Sequence, residues 1–308
     1  MDFASLPFTL RQLQYAVAVA DLLSFRRAAE QCHVSQPSLS AQVALMEAAL
    51  GVRLFERDRR RVLVTAAGAA LLERARRVLR ESDDLTDAAR RADDPLGVTL
   101  RLGVIPTIAE YLLPRIVATL HQRHPRLTIQ WQEGKTAELV DALHAGDLDA
   151  VLLALEAELG DVEQEVIARD PFVLATAPDH PLARARRLVR VSELTEANVL
   201  VLDEGHCFGD QALAFCSRSN VRVNEFRATS ITTLVQMVAV GAGVTLLPAL
   251  AVPTETRRAR LAVRRFAKPG PSRTIGFVWR KRTPVAAALR AVAATARRAY
   301  TGSPRGPR

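Results

Sequence analysis

From Leu234 to Pro253 the chain runs twenty residues without a charged side chain. A stretch of that length either crosses a membrane as one helix or lies inside a folded core. Gly241, Gly243 and Pro248 favour the core, because they divide the run into a short helix, a glycine turn and the strand Val244 to Leu247. No membrane partner is therefore expected. The same apolar grammar continues elsewhere as strand Thr99 to Val104, helix Ala109 to His124, strand Leu127 to Gln132, helix Thr136 to Ala145 and strand Ala150 to Leu155. Val199 to Leu202 and Arg273 to Trp279 read as later strands, and Pro284 to Ala299 as a last helix. Alternation of this kind predicts an α/β fold with an open, mostly parallel sheet and ligand sites at the strand ends.

The first third of the chain has a different period. Leu10, Leu13, Val17, Ala20 and Leu23 make a helical stripe. Ser24 is placed to cap a second helix, Phe25 to Cys32. A tight turn at Val34 and Ser35 leads to a third helix, with Pro37 in its first turn, reaching about Leu50. Helix, short turn, helix is an arrangement that reads DNA, and it is shared by many small helical bundles. If it reads DNA, the N-terminal part of the third helix enters the major groove, so Gln36, Pro37, Ser38, Ser40 and Gln42 are the candidates to meet bases or phosphates. Leu39, Val43 and Met46 then face the core, and Cys32 joins them. Leu54 and Phe55 followed by Arg59 to Thr65 fit a β-wing whose basic tip, with Arg57, Arg59, Arg60 and Arg61, suits phosphate. Ala66 to Arg91 is a long helix, apolar at Ala70, Leu71, Val78 and Leu85, of the kind that pairs with a second chain. Asp93, Asp94, Pro95 and Gly97 form a hinge, and the tail after Tyr300 reads as disordered.

Charge agrees with an acidic partner, but only locally. The formal net charge is +9, yet 39 of the 42 basic residues are Arg, a bias that base composition alone can produce. Arg53 to Arg80 carries more information: nine Arg against Glu56, Asp58 and Glu73 leave a local net charge of +6 that suits nucleic acid. Three cysteines in 308 residues do not build a secreted disulfide framework, and no charged segment followed by an apolar one opens the sequence. A cytoplasmic, reducing location is the expectation. His121 and His124 have ligand-like spacing but no nearby Cys or carboxylate completes a set, so neither a metal nor another cofactor is expected.

Two of the three cysteines lie nine residues apart, in Asp203 to Cys216 (DEGHCFGDQALAFC). Asp210 is a good N-cap and Gly209 marks a turn before it, which places Cys207 just outside a helix N-terminus, where the partial positive charge and His206 favour a thiolate. Were one helix to run through both cysteines, they would stand about 13.5 Å apart on opposite faces. A disulfide tolerates about 7 Å at most, so joining them would unwind the segment. Spacing alone leaves two unrelated core cysteines as the alternative.

The stretch FRRAAEQCHVSQPSLSAQVALMEAALGVRLFERDRRRVLVTAAG (Phe25 to Gly68) and the layout around it resemble the LysR-type transcriptional regulators. Within that family the resemblance is to its hydrogen peroxide-sensing activators, through GVIPT (Gly103 to Thr107), YLLP (Tyr111 to Pro114), GHC, DQALAFC, FRATS (Phe226 to Ser230) and GAGVTLLPALAVP (Gly241 to Pro253). The resemblance implies a winged helix-turn-helix over residues 1–65, a dimerising linker helix over 66–92 and a hinge at 93–97. A two-lobed, periplasmic-binding-protein-like α/β sensor over 98–300 and a tail at 301–308 complete it. It implies that Cys207 forms a sulfenic acid that Cys216 resolves to a disulfide, with Thr107, Thr136 and His206 around the peroxide. The partners it implies are promoter double-stranded DNA, RNA polymerase and further copies of the chain, up to a homotetramer, in a regulator rather than an enzyme. Gly209 departs from the pattern, since those regulators commonly carry Arg there. The rival reading within the family is a small effector bound in the cleft between the lobes.

Overall fold

The computed structural model describes residues 7–57, 61–91, 99–184, 187–203, 207–218 and 223–301. The chain divides into two compact units, Met1–Arg90 and Arg91–Arg308. Arg59 and Arg60 of the wing, the expected hinge from Asp93 to Gly97, His206 and the tail from Gly302 lie outside the described residues.

The first unit holds α1 (Leu10–Leu22), α2 (Phe25–Gln31), α3 (Gln36–Leu50), β1 (Phe55–Arg57), β2 (Val62–Val64) and α4 (Ala66–Arg91). Each of the first three helices starts on a hydroxyl cap. Thr9 and Gln12 form a reciprocal capping box on α1, while Ser24 and Ser35 accept the backbone N–H of Arg27 and Ser38. Leu13, Ala16, Val19, Leu39, Val43 and Met46 make the core between these helices. The wing is fastened to α3 by Glu47, whose Oε1 accepts the N–H groups of Leu54 and Phe55 at 2.7 and 3.1 Å.

Two expectations for this unit need correcting. Cys32 is the C-cap of α2 and only half-buried, packed against the core from its edge. The apolar face of α4 is Leu72 and Ala75, with Leu71 and Leu79 beside them. Ala70 is exposed, and so are Val78 and Leu85, at 44% and 73%. Steps of three and four from Leu72 keep one face turned to the core. Val78 and Leu85, seven apart, share a different face, which this chain leaves uncovered.

The second unit holds β3 (Thr99–Val104), α5 (Pro106–Ala109), α6 (Leu113–Arg123), β4 (Thr128–Glu133), α7 (Thr136–Ala145), β5 (Ala150–Ala154) and β6 (Val162–Thr176). It continues with β7 (Val199–Leu202), α8 (Cys207–Arg218), β8 (Val223–Ala228), α9 (Ile231–Ala239), β9 (Val244–Pro248), α10 (Val252–Arg258), β10 (Ala262–Arg265), β11 (Ser272–Arg280) and α11 (Ala286–Thr301). The expected helix Ala109 to His124 is two helices broken at residues 110–112, with Pro114 in the first turn of α6, where its missing N–H costs nothing. The uncharged run becomes the end of α9, β9 and the start of α10, turned by Gly241 at φ 85°. Among the described residues no helix is long and apolar enough to cross a membrane.

The strands run in the order β4-β3-β5-β11-β6-β9-β7-β8, with β10 also paired to β6. Pairing is parallel within β4-β3-β5 and within β9-β7-β8, but antiparallel wherever β6 or β11 takes part. The sheet is therefore mixed rather than mostly parallel. The cause is β6, a fifteen-residue strand that alternation alone does not announce. It pairs with β11 as far as Pro171, opposite Ser272, and from Phe172 onward with β9 and β10. Two cores flank that crossing. One is built on β3, β5, β11 and α11, the other on β7, β9, α9 and the second half of β6. The unit is two-lobed and periplasmic-binding-protein-like, and Tyr111 of the first lobe's chain segment is buried in the second core.

Candidate redox and DNA-contacting sites

Helix α8 starts at Cys207 and runs through Cys216 to Arg218. The sequence places its start at Asp210, after a turn at Gly209. Two contacts explain the earlier start. Phe208 is 1% exposed and packs edge-on against Phe172, ring centroids 5.1 Å apart. A Cβ on Gly209 would stand 3.0 Å from the carbonyl oxygen of Leu202 and 3.1 Å from that of Asp203, so the helix backbone lies directly on the end of β7. Burying a phenylalanine contributes about 1.5–3 kcal/mol and an aspartate N-cap about 1, so the packing of Phe208 decides where the helix begins. Gly209 is a close approach between backbones, not a turn. A continuous helix sets the two cysteine Cα atoms about 13.5 Å apart on opposite faces.

Thr107 lies at the start of α5, just past the end of β3, and is 5% exposed. Its Oγ1 and its carbonyl oxygen accept hydrogen bonds from Arg273 Nη1 and Nη2 at 2.7 and 3.2 Å. Arg273 is fully buried and pairs through Nε with Asp170 Oδ2 at 3.0 Å, while Asp170 Oδ1 accepts the N–H of Leu250 at 3.1 Å. Burial pushes the Asp170 carboxyl up, and the Arg273 charge and the Leu250 amide pull it back. The Arg273 guanidinium also lies 6.0 Å from the centre of the Phe208 ring, beside the residue that follows Cys207. A fixed cation thus sits where β6 and β11 cross, joined to Thr107 on one side and facing the first turn of α8 on the other.

Thr136 opens α7, and its Oγ1 is buried without a hydrogen-bond partner. Gln211, one turn into α8, has a buried Oε1 in the same condition, while its Nε2 donates to Glu156 Oε2 at 3.3 Å. Glu156 Oε1 in turn accepts the N–H of Thr274 at 2.7 Å. Neither Arg273, Asp170, Gln211 nor Glu156 stands out in the sequence. Arg273 is one arginine among 39, and Asp170 precedes a proline in a strand that periodicity does not reveal. A lone Asp-Pro inside an apolar stretch was the one available signal.

In the first unit Gln36, Pro37 and Ser38 are exposed at the start of α3. Ser40 is half-buried, and Gln42 Oε1 accepts from Gln12 Nε2 at 3.0 Å, which ties it to α1. Arg57 ends β1, and Arg61, just before β2, is exposed. Gly68 is held by space: a Cβ there would fall 2.3 Å from the Leu54 carbonyl oxygen, so α4 can leave the wing only through glycine.

Residues 10–69 match the model of the bacterial regulatory helix-turn-helix proteins of the lysR family, and residues 94–301 that of the LysR substrate binding domain. The chain is 44% identical over 277 residues, 90% of each sequence, to the DNA-binding transcriptional dual regulator OxyR of Escherichia coli K12. A full-length OxyR from Pseudomonas aeruginosa, with one cysteine changed to aspartate, superposes with a TM-score of 0.75 at 35% identity, covering 94% of this chain and 98% of that one. A cysteine-to-serine variant of Corynebacterium glutamicum OxyR with H2O2 bound gives 0.66 at 34% identity, covering 97% and 96%. The chain belongs to the LysR family of bacterial helix-turn-helix regulators, in its OxyR branch.

Proposed function

We propose that the chain is a DNA-binding transcriptional activator that senses hydrogen peroxide by reversible formation of a Cys207–Cys216 disulfide. The observation that carries this reading is one helix bearing both cysteines, seated on β7 by Phe208 and Gly209. In that helix the thiols cannot meet, so oxidation is coupled to a change of fold around α8. The Cys207 thiolate attacks one peroxide oxygen, forming an S–O bond as the O–O bond breaks, and the departing hydroxide takes a proton to leave as water. Cys216 then attacks the sulfenic sulfur, its thiol proton leaves with the displaced hydroxide as a second water, and the disulfide remains. Thr107 supports the first step: its oxygen already accepts from Arg273, so its own proton is turned to the site. The unpartnered Thr136 hydroxyl offers a second donor, and His206 adjoins Cys207 in sequence. The helix N-terminus and the Arg273 charge favour the thiolate.

The readout is DNA. Gln36, Pro37, Ser38 and Ser40 face base edges or phosphates of a promoter, Gln42 braces α3, and Arg57, Arg59, Arg60 and Arg61 of the wing contact phosphate. Val78 and Leu85 on α4 suit pairing of linker helices, within a homodimer or homotetramer that acts on RNA polymerase in the cytoplasm. The chemistry consumes one peroxide per disulfide and is a signal, not a turnover.

Mass spectrometry of thiol state, with and without stoichiometric peroxide, tests the reading alongside a footprint on a promoter fragment. The wild-type chain is expected to gain the Cys207–Cys216 bond and alter its footprint. Cys207→Ser loses both responses, Cys216→Ser accumulates sulfenic and higher acids at Cys207, and Cys32→Ser behaves as wild type, because burial holds the Cys32 thiol up in pKa and protonated. A Cys207→Ser protein whose footprint still responds to peroxide would sink the reading.

A further inference from the structure

A recess of about 1250 Å3 opens beside the crossing of β6 and β11, apart from Thr107, Thr136 and every residue of α8. Its floor is apolar, made by Phe172, Val173, Leu250, Val252, Val263 and Phe266. Its rim is cationic: Arg115, Arg169, Arg257, Arg265 and Lys268 line it, and no Asp or Glu does among the described residues. The two chemistries come from both lobes. Arg115 and Arg169 belong to the first lobe's elements, while Arg257 and Arg265 belong to α10 and β10 of the second. Arginines are abundant in this chain, but acids are nearly as frequent, 33 against 42 basic residues, so an acid-free lining with five cations is not a sample of the whole surface.

We propose that this recess is a binding site for a free, amphipathic organic anion, a carboxylate or sulfonate carried on an apolar body. The apolar body is taken out of water against Phe172, Leu250, Val263 and Phe266, and the anionic group meets the rim cations. The C-terminal tail does not suit the site, since residues 302–308 carry two arginines and no acid. A small anion can reach cations from both lobes together, which no neutral apolar ligand exploits.

The recess also touches the parts that hold α8. Phe172 on its floor is the residue packed against Phe208. Arg169 and Pro171 on its wall flank Asp170, and the N–H of Leu250 holds the Asp170 carboxylate that orients Arg273. On the peroxide-sensing reading given above, occupancy would therefore alter how readily α8 unwinds, giving the regulator a second, non-redox input.

The test uses the full-length reduced chain and two probes that share one aromatic body: 1-anilinonaphthalene-8-sulfonate and its uncharged relative N-phenyl-1-naphthylamine. The sulfonate is expected to bind at one saturable site per chain, at least fivefold more tightly than the neutral probe. Arg257→Gln combined with Lys268→Gln, two exposed positions, should weaken the sulfonate about tenfold and the neutral probe less than twofold. Thr254→Trp, which fills part of the recess, should block both. Equal affinity for the two probes, or sulfonate binding unchanged in the double variant, overturns the site. Sulfonate binding that disappears as protein concentration rises overturns it too, marking the recess as a contact between copies. Because this arm involves no cysteine chemistry, it stands or falls separately from peroxide sensing. A second arm compares the rate of Cys207–Cys216 closure with and without saturating sulfonate. A change of threefold or more in the wild type but not in the double variant supports the coupling to α8, and equal rates overturn that coupling.

Discussion

A Cβ at position 209 would meet the Leu202 and Asp203 carbonyl oxygens at 3.0 and 3.1 Å, so Gly209→Ala by itself is expected to lift the first turn of α8 off β7. Hydrogen exchange over residues 207–212 should be several-fold faster in that variant than in the wild type. Gly209→Arg adds a cation to the same strain, and comparison of the two substitutions separates charge from space. The charge effect predicts that stopped-flow traces show faster sulfenic acid formation in the Arg variant than in the Ala variant; equal rates would leave backbone contact as the whole explanation. Arg273 is the other residue whose environment dictates a result. Arg273→Met strands the Asp170 carboxylate in a buried site and is expected to cost about 3–5 kcal/mol, measured by urea unfolding. Asp170→Leu added to Arg273→Met should recover most of that loss, because a buried pair replaced by apolar groups is close to neutral. Failure to recover would show that the pair itself, not the orphaned charge, holds the lobes.

At the scale of elements, α3 and the wing divide the work of binding. Gln36 stands exposed at the helix start and Arg61 exposed beside β2, so their substitutions should differ in kind. Arg61→Ala is expected to weaken binding to all sequences and to lower the slope of log affinity against log salt by about 0.9, one phosphate contact. Gln36→Ala should instead change base preference at one position of the site, by about 1–3 kcal/mol. Fluorescence anisotropy on a panel of single-base operator variants at several salt concentrations distinguishes the two. A uniform loss across the panel for Gln36→Ala would reassign that residue to the backbone of the DNA. Much of this unit was legible beforehand, because Thr9, Ser24 and Ser35 caps, Pro37 and the stripe of Leu39, Val43 and Met46 are local signals. The face of α4 was not: choosing among its many Ala and Leu positions needs the partner surface, and that surface is tertiary.

For the whole sensor, two contacts across the lobes matter beyond the strands themselves. Tyr111 donates its hydroxyl to Glu255 Oε1 at 2.9 Å inside the second core, and Arg258 joins Glu255 to Glu110. Burial, with the Glu255 charge beside it, pushes the Tyr111 hydroxyl far above its ordinary pKa, so this link does not titrate in the working range. The second link, Glu156 to Gln211, is solvent-exposed and long at 3.3 Å, and it alone among the two reaches α8. Glu156→Ala is therefore expected to leave the stability within about 1 kcal/mol of wild type, as exposed polar contacts do, while speeding disulfide closure after sulfenic acid has formed. Quenched-flow trapping of the sulfenic acid reads that step directly. A closure rate equal to wild type would mean that Phe208 and β7, not the first lobe, set the barrier.

The sequence by itself determined the elements whose signals are short-range: the capped helices of the first unit, the strands Thr99 to Val104 and Val199 to Leu202, and the division of the uncharged run by Gly241, Gly243 and Pro248. It also supplied the cysteine spacing that makes helix and disulfide mutually exclusive. Only the tertiary structure decided where α8 begins, since Asp210 offers a local cap but Phe208 gains more by entering the core between Phe172 and Arg273. Only the tertiary structure revealed β6, because a strand that changes partners halfway carries two different burial patterns and no single period. The same crossing brings Asp170 and Arg273, 103 residues apart in sequence, to 3.0 Å. No local propensity encodes that meeting. It exists because two long strands pair antiparallel between lobes, and the low polarity there leaves each charge only the other to satisfy it.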